Sequence, residues 1–358
     1  MSENQAMIQK HTGGKLLQTG LHGCVFDTIP RCKGRARTIR DGRYSRDKRR
    51  TRRVVKLLDI KDKTVGTELL VSRQLAQMPN YADYFILIDD VCLGDDMSQN
   101  VDWSKCGLFK QGPKRLAPFV QLRMKYGGMR LTEYALNINK LLKNWINIQV
   151  HLAEALHILH SHNWVHGDFH FGNIVVDDKN VARIIDFGLT YNVNTIQDKH
   201  VVNMTFLPTY DNYAPELDFL SGSFSIHDKR ELVNAIYRRK NILKEIDEAF
   251  PTSMGTLGEM INFAERVDIR GVGDAVVFLQ KYGTLSDMWT FGYDFYKLYM
   301  LMLSVPEVID SKFYKYHNGD QMRILRGLLQ VDPRKRLTSE QLLTELYSLR
   351  MAQQQELD

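Results

Sequence analysis

The sequence lacks any apolar run near the roughly 18–20 residues that a membrane-spanning helix needs. Its first twenty residues are polar and lack the apolar stretch of a secretory signal peptide, so an intracellular location is expected. Cysteine is sparse: Cys24, Cys32, Cys92 and Cys106 are the full set, and no two of them stand at CxxC spacing. None lies near a histidine pair of zinc-ligand spacing, so four free thiols in a reducing compartment are the expected state. No fixed-period repeat and no low-complexity tract interrupts the chain, which argues against a solenoid or a disordered linker protein. What is present is ordinary for a globular protein: 358 residues, 44% hydrophobic and 25% charged, enough for one large domain or two modest ones.

Excess charge of one sign is confined to one stretch. The net charge is +6, but thirteen Lys/Arg and two acids fall between Arg31 and Lys56, so that stretch carries +11 and the remainder −5. Such a run suits nucleic acid, an acidic partner or an anionic membrane surface, or else forms a solvated loop. Lys48-Arg49-Arg50-Thr51-Arg52-Arg53 also has the form of a nuclear-localisation patch. Tyr44 is the single aromatic residue interleaved with the charges, so base stacking has little to build on.

Apolar periodicity predicts strand, turn and strand over 16–26, a loop over 31–52 and a short buried strand over 53–58. A helix over 67–77 is expected to end before Pro79. A strand over 84–93, a loop over 94–116 and a strand over 119–126 then run into Gly127-Gly128. Beyond the glycines the pattern turns helical, with a long helix over 141–162, a hairpin joining 174–176 to 182–185, and mostly helix from Pro215 onward. The expected divisions are a tail over 1–15, a strand-rich lobe over 16–126 with a basic insert at 31–52, and a helical lobe over 127–358 with an insert at 217–286.

His166-Gly167-Asp168-Phe169-His170-Phe171-Gly172-Asn173 is followed, thirteen residues after Asn173, by Asp186-Phe187-Gly188. An Asp that can accept a hydroxyl proton, an Asn five residues on and a second Asp are the polar groups that phosphoryl transfer requires. The strand–turn–strand pattern between the two motifs strengthens that reading.

With these motifs in place, the chain from about Leu17 to about Leu346 resembles a eukaryotic-type Ser/Thr protein kinase. The resemblance implies an α+β, two-lobed fold with a small antiparallel-sheet N-lobe and a larger, mostly helical C-lobe. It implies ATP with Mg²⁺ (Mn²⁺ as a substitute) and protein substrates. Gly20-Leu21-His22-Gly23-Cys24-Val25 is similar to the second half of a Gly-rich phosphate loop, with Gln18 where the first glycine usually stands. Lys56 in Val54-Val55-Lys56 matches the lysine that pairs the α/β-phosphates, and Glu68 is its expected partner. Leu122 to Gly128 resembles the hinge, where the backbone of Lys125 and Gly127 would hold adenine and Met124 would close the back of the pocket. In the catalytic loop Asp168 is the expected base, with Asn173 and Asp186 as metal ligands. Ala214-Pro215-Glu216, its expected salt-bridge partner Arg336, and Asp287-Met288-Trp289-Thr290-Phe291-Gly292 are marks of protein kinases rather than small-molecule kinases.

Two residues depart from the pattern. Gly167 stands where an Arg usually receives a phosphorylated activation loop, so constitutive or partner-driven activity is expected. The activation segment still holds Thr190, Tyr191, Thr195, Thr205, Thr209 and Tyr210, and Thr209 sits where a substrate-facing Thr usually lies. His170 stands where Ser/Thr kinases place the lysine that helps neutralise the γ-phosphate, a task a histidine performs as a cation or through one neutral N–H. HGDxHxxN also resembles aminoglycoside- and choline-type phosphotransferases, which makes a small-molecule kinase the second reading and a kinase-shaped nucleic-acid-binding scaffold the third. Gly23-Cys24-Val25-Phe26, the run into Asp83-Tyr84-Phe85 and the long insert after Glu216 are similar to protein kinases of large double-stranded DNA viruses. For a viral kinase, host cytoplasm, nucleus or virion is the expected place.

Overall fold

The computed structural model describes residues 15–20, 23–27, 32, 33, 37, 38, 52–94, 103–109, 119–202 and 204–355. They form two compact units. The first runs up to Gly128 and takes back Ile185–Gly188; the second comprises Met129–Ile184 and continues from Leu189. Among the described residues no helix is long and apolar enough to cross a membrane.

In the first unit, β1 (Leu16–Thr19), β2 (Gly23–Phe26), β3 (Arg37–Thr38), β4 (Arg53–Asp59), β5 (Ile88–Leu93) and β6 (Phe119–Lys125) make one antiparallel sheet in the order β1-β2-β4-β6-β5-β3. The central strands β4 and β6 pair over their full length, from Arg53 opposite Lys125 to Asp59 opposite Phe119. Their apolar side chains supply the burial that holds the sheet, with Phe26, Val55, Leu57 and Phe119 in one cluster. Gly23 is required here, because a Cβ would lie 2.1 Å from the Leu57 carbonyl oxygen. Helix α1 (Lys63–Leu75) starts four residues earlier than periodicity suggests. Asp62 accepts the Thr64 N–H at 2.8 Å and caps it. Tyr84, expected to open a strand over 84–93, instead ends a short helix α2 (Tyr81–Tyr84) entered through Asn80 in the left-handed region, and the strand begins at Ile88.

Two expectations are corrected in this unit. Arg37–Thr38 is an edge strand paired to β5 rather than part of a loop; most of the remaining basic run lies outside the described residues. The cysteines are also not free. Cys24 is bonded to Cys106 and Cys32 to Cys92, with Cα separations of 5.9 and 5.7 Å and sequence separations of 82 and 60. Neither partnership leaves a mark in local spacing, because each forms only when distant strands and turns meet.

The second unit contains β7 (Met129–Arg130), α3 (Leu131–Tyr134), α4 (Ile138–Ser161), β8 (Trp164–Val165), β9 (Ile174–Val176), β10 (Ala182–Ile184), β11 (Tyr191–Asn192) and α5 (Asp198–Val202). It continues with α6 (Pro215–Gly222), α7 (Lys229–Arg239), α8 (Ile242–Ala249), α9 (Gly255–Arg266), α10 (Val272–Tyr282), α11 (Thr284–Leu303), α12 (Pro306–Ile309), α13 (Lys312–Leu328) and α14 (Ser339–Gln355). The β9–β10 hairpin is extended by β7, and β8 pairs with β11. At the core, Trp145 of α4 stacks on Tyr299 at 5.8 Å and meets Phe295 edge-on at 5.4 Å, while its Nε1 donates to Gln321. The mostly helical stretch after Pro215 is broken between α7 and α8. Lys240 takes an extended backbone between α7 and α8, and its side chain turns into the interior.

Candidate active site

The first unit gathers Lys56, Glu68 and Asp186. Lys56 lies mid-strand on β4, opposite Val25 of β2 and Leu122 of β6. Glu68 falls on the buried stripe of α1 with Val71, Ser72 and Leu75, at the spacing that puts residues on one helix face. A glutamate only 2% exposed needs a counter-charge, and Lys56 Nζ donates to Glu68 Oε2 at 2.9 Å and to Asp186 Oδ1 at 2.6 Å. Burial opposes the charge on Lys56, but the two carboxylates outweigh it and hold the ammonium above its usual range. Burial pushes Glu68 up to about 7 against the pull of Lys56. Asp186 adopts φ 64°, a left-handed conformation uncommon outside glycine but one that Asn and Asp tolerate. Buried Phe187 beside it packs edge-on against Phe85 at 5.7 Å, which fixes the direction of this turn.

The other residues of this unit expected at a nucleotide divide by strand. Gly20 and Gly23 close the β1–β2 turn through the Gly20 N–H and the Gly23 carbonyl at 2.8 Å. Met124 is buried on β6 between Val54 and Ile88, while Lys125 is exposed at the strand end and Gly127 follows it.

The second unit gathers Asp168, His170 and Asn173. Asn173 Nδ2 donates to the Asp168 carbonyl at 2.9 Å and to Asp168 Oδ2 at 3.1 Å, leaving the amide oxygen as the remaining polar atom of that side chain. His170 Nδ1 accepts the Gly172 N–H at 2.9 Å, so in the neutral ring Nε2 carries the proton. That nitrogen lies 3.7 Å from Asp168 Oδ2. The loop is anchored from α11. Asp287 accepts the N–H groups of His166 at 2.7 Å and Gly167 at 3.1 Å, and is paired with His160 at 3.2 Å.

Gly167 has a steric reason to be glycine. Its φ is +76° and a Cβ would meet the Leu189 carbonyl oxygen at 2.6 Å, so the backbone that carries Asp168 has no room for an arginine. Of the activation-segment hydroxyls, Thr190 is buried and donates to the His166 carbonyl at 3.1 Å, which makes it a loop brace. Thr209 is exposed. Glu216 and Arg336 meet as expected, in a buried bidentate pair at 2.6 and 2.9 Å.

Asp294 escaped the sequence reading. It accepts the Phe171 N–H at 2.5 Å and so braces the far side of the 166–173 loop from the helix that carries Asp287. Burial pushes it up to about 7, offset in part by that N–H and by His170. Its signal was present: an acid two turns after Asp287, flanked by Phe291 and Phe295 on an otherwise apolar helix face.

Residues 106–226 match the family model for protein tyrosine and serine/threonine kinases. A serine/threonine-protein kinase of Kluyveromyces lactis is 25% identical over 201 residues, which cover 54% of this chain and 28% of that protein. The match therefore spans little more than a quarter of that relative's length. The antiparallel sheet and the helical remainder are consistent with the similarity to protein kinases that these matches find over part of the chain.

Proposed function

We propose that this protein transfers the γ-phosphoryl group of ATP to Ser/Thr hydroxyls of protein substrates. The observation that carries the reading is the Lys56 ammonium held between Glu68 and Asp186 at 2.9 and 2.6 Å. Such a fixed cation suits an α/β-phosphate, and Glu68 keeps it in place when Asp186 turns to other work. Asp186 and the amide oxygen of Asn173 are oxygen donors of the kind Mg²⁺ accepts alongside substrate phosphates. When bound, Mg²⁺ supplies charge neutralisation on the transferring group. Asp168 is the base. Its Oδ2 is engaged by Asn173, so Oδ1 is the atom offered to the substrate hydroxyl. The hydroxyl oxygen bonds to the γ-phosphorus, the bond to the ADP oxygen breaks, and the hydroxyl proton passes to Asp168. His170, with Nδ1 committed to Gly172, directs an Nε2–H donor toward the same region in place of the usual lysine. A backbone at Gly167 that excludes an arginine supports activity without activation-loop phosphorylation.

His170 also favours a second reading, transfer to a small hydroxyl compound. Radiolabelled ATP offered with generic protein substrates and with aminoglycoside and choline acceptors separates the two. Label on Ser or Thr of protein supports the proposal. Label confined to the small acceptors replaces it, and ATP binding without transfer to either leaves only a binding scaffold.

A further inference from the structure

Among the described residues, Lys240 is the most deeply buried lysine that the mechanism does not use. It lies in the insert, between α7 and α8, and its side chain is 0% exposed. A buried ammonium is costly unless each of its protons finds an acceptor. Lys240 donates to the Tyr210 carbonyl at 2.7 Å and the Tyr213 carbonyl at 2.8 Å, and forms an ion pair with Asp218 Oδ2 at 3.0 Å. Asp218, on α6 two residues after Glu216, uses its other oxygen to accept the Leu207 N–H at 3.1 Å. The first residue of α8 adds to this, since the Ile242 N–H donates to Asp211 Oδ1 at 3.2 Å. Trp289 of α11 holds the Asp211 carbonyl at 3.2 Å.

These contacts share one target. Apart from the Lys240–Asp218 pair, each ends on the segment from Leu207 to Tyr213, and together they fix it at 207, 210, 211 and 213; Pro208 and Asn212 are buried beneath it while its other face stays exposed. Leu207 is 40% and Tyr210 45% exposed, and Thr209 between them is exposed. A buried cation has been spent on holding a surface loop, and that loop contains the Thr expected to face substrate. None of the contacts needs a phosphate or an arginine at position 167.

We propose that Lys240 is a positioning residue for the protein acceptor: from within the insert it clamps the 207–213 segment in the form that receives substrate, a task left elsewhere to a phosphorylated activation loop. The proposal rests on the protein-kinase reading above. It gives the 217–286 insert a definite role, because the break between α7 and α8 is what turns the Lys240 side chain inward.

The test uses the full chain and a double variant, Lys240→Met with Asp218→Leu, which removes both charges together and so leaves no unpaired buried ion. Amide hydrogen exchange is followed over 205–213, with α4 as internal reference. KM for a generic protein substrate, KM for ATP and acceptor-free ATP hydrolysis are measured beside it. The expected result is exchange at least tenfold faster at 207–213 with α4 unchanged. KM for the protein should rise at least tenfold, while KM for ATP and acceptor-free hydrolysis stay within twofold. Unchanged exchange at 207–213 overturns the clamp; faster exchange with an unchanged protein KM overturns its role in substrate positioning. If the double variant does not fold, Asp211→Ala removes only the acceptor of the Ile242 N–H, and the same pattern is expected at about threefold, with the same results overturning it. A wild-type chain that labels no protein defeats the kinase reading, and the exchange measurement still decides the clamp.

Discussion

Replacing Glu216 by glutamine tests how far burial sets the strength of an ion pair here. Arg336 and Glu216 are 0% and 1% exposed and meet through two hydrogen bonds of 2.6 and 2.9 Å. The glutamine keeps the shape, removes the charge, and turns one acceptor into an amide donor facing a guanidinium donor. Removing one partner of a buried pair costs about 3–5 kcal/mol, because the remaining charge is left uncompensated. Arg336 would retain the Leu285 carbonyl at 2.7 Å and the Gln330 carbonyl at 3.0 and 2.8 Å, neutral acceptors that return part of the loss. The lower end of the range, about 3 kcal/mol, is therefore expected. The chain contains its own control. Lys297 and Glu245 meet at 2.9 and 3.0 Å but are 47% and 37% exposed. At nearly the same distance, Glu245→Gln should cost at most about 1 kcal/mol, since water and salt screen the pair. Urea unfolding followed by the fluorescence of Trp145 and Trp289, both in the second unit, reads the two costs side by side. Equal midpoint shifts for the two variants would refute the reasoning, as would a loss for Glu216→Gln below that for Glu245→Gln.

Reducing the Cys24–Cys106 and Cys32–Cys92 bonds should lower the unfolding temperature of the first unit, since closing loops of 82 and 60 residues is worth about 4 kcal/mol each on the chain-entropy argument; a melting curve unchanged by dithiothreitol contradicts this. Asp294 has a folded pKa raised to about 7 from 3.8, so its contribution is present in full below about pH 4 and is lost as pH rises through 7; Asp294→Asn should flatten that decline, and an identical pH–stability curve argues against it. Gly167→Ala should cost about 1–3 kcal/mol and most of the activity, because the new Cβ would meet Leu189, whereas phosphatase treatment of the wild type should leave activity within twofold.

The sheet and most helices were legible because burial repeats every second residue in β5 and every third or fourth in α1 and α4. The candidate phosphoryl-transfer residues stand out in the sequence because short loops set their spacing: Asn173 reaches back to Asp168 across five residues, and Asp186 follows one hairpin. What escaped detection depends on long-range meetings. The disulfides join residues 60 and 82 apart, and nothing near a cysteine announces such a partner. The α7–α8 break was hidden because Lys240 looks like one more solvated charge until the carbonyls of Tyr210 and Tyr213 arrive to receive it. Gly167 was visible as a departure, but its cause, the Leu189 carbonyl, lies 22 residues away along the chain.

The most direct measurement of the central claim compares Asp168→Asn with the wild type in labelled-ATP transfer to protein, with ATP affinity determined for both. A base that takes the hydroxyl proton is worth roughly 10²- to 10⁴-fold in rate, so kcat should fall by at least about a hundredfold while ATP binds equally well. Transfer that survives Asp168→Asn at the wild-type rate would contradict the account.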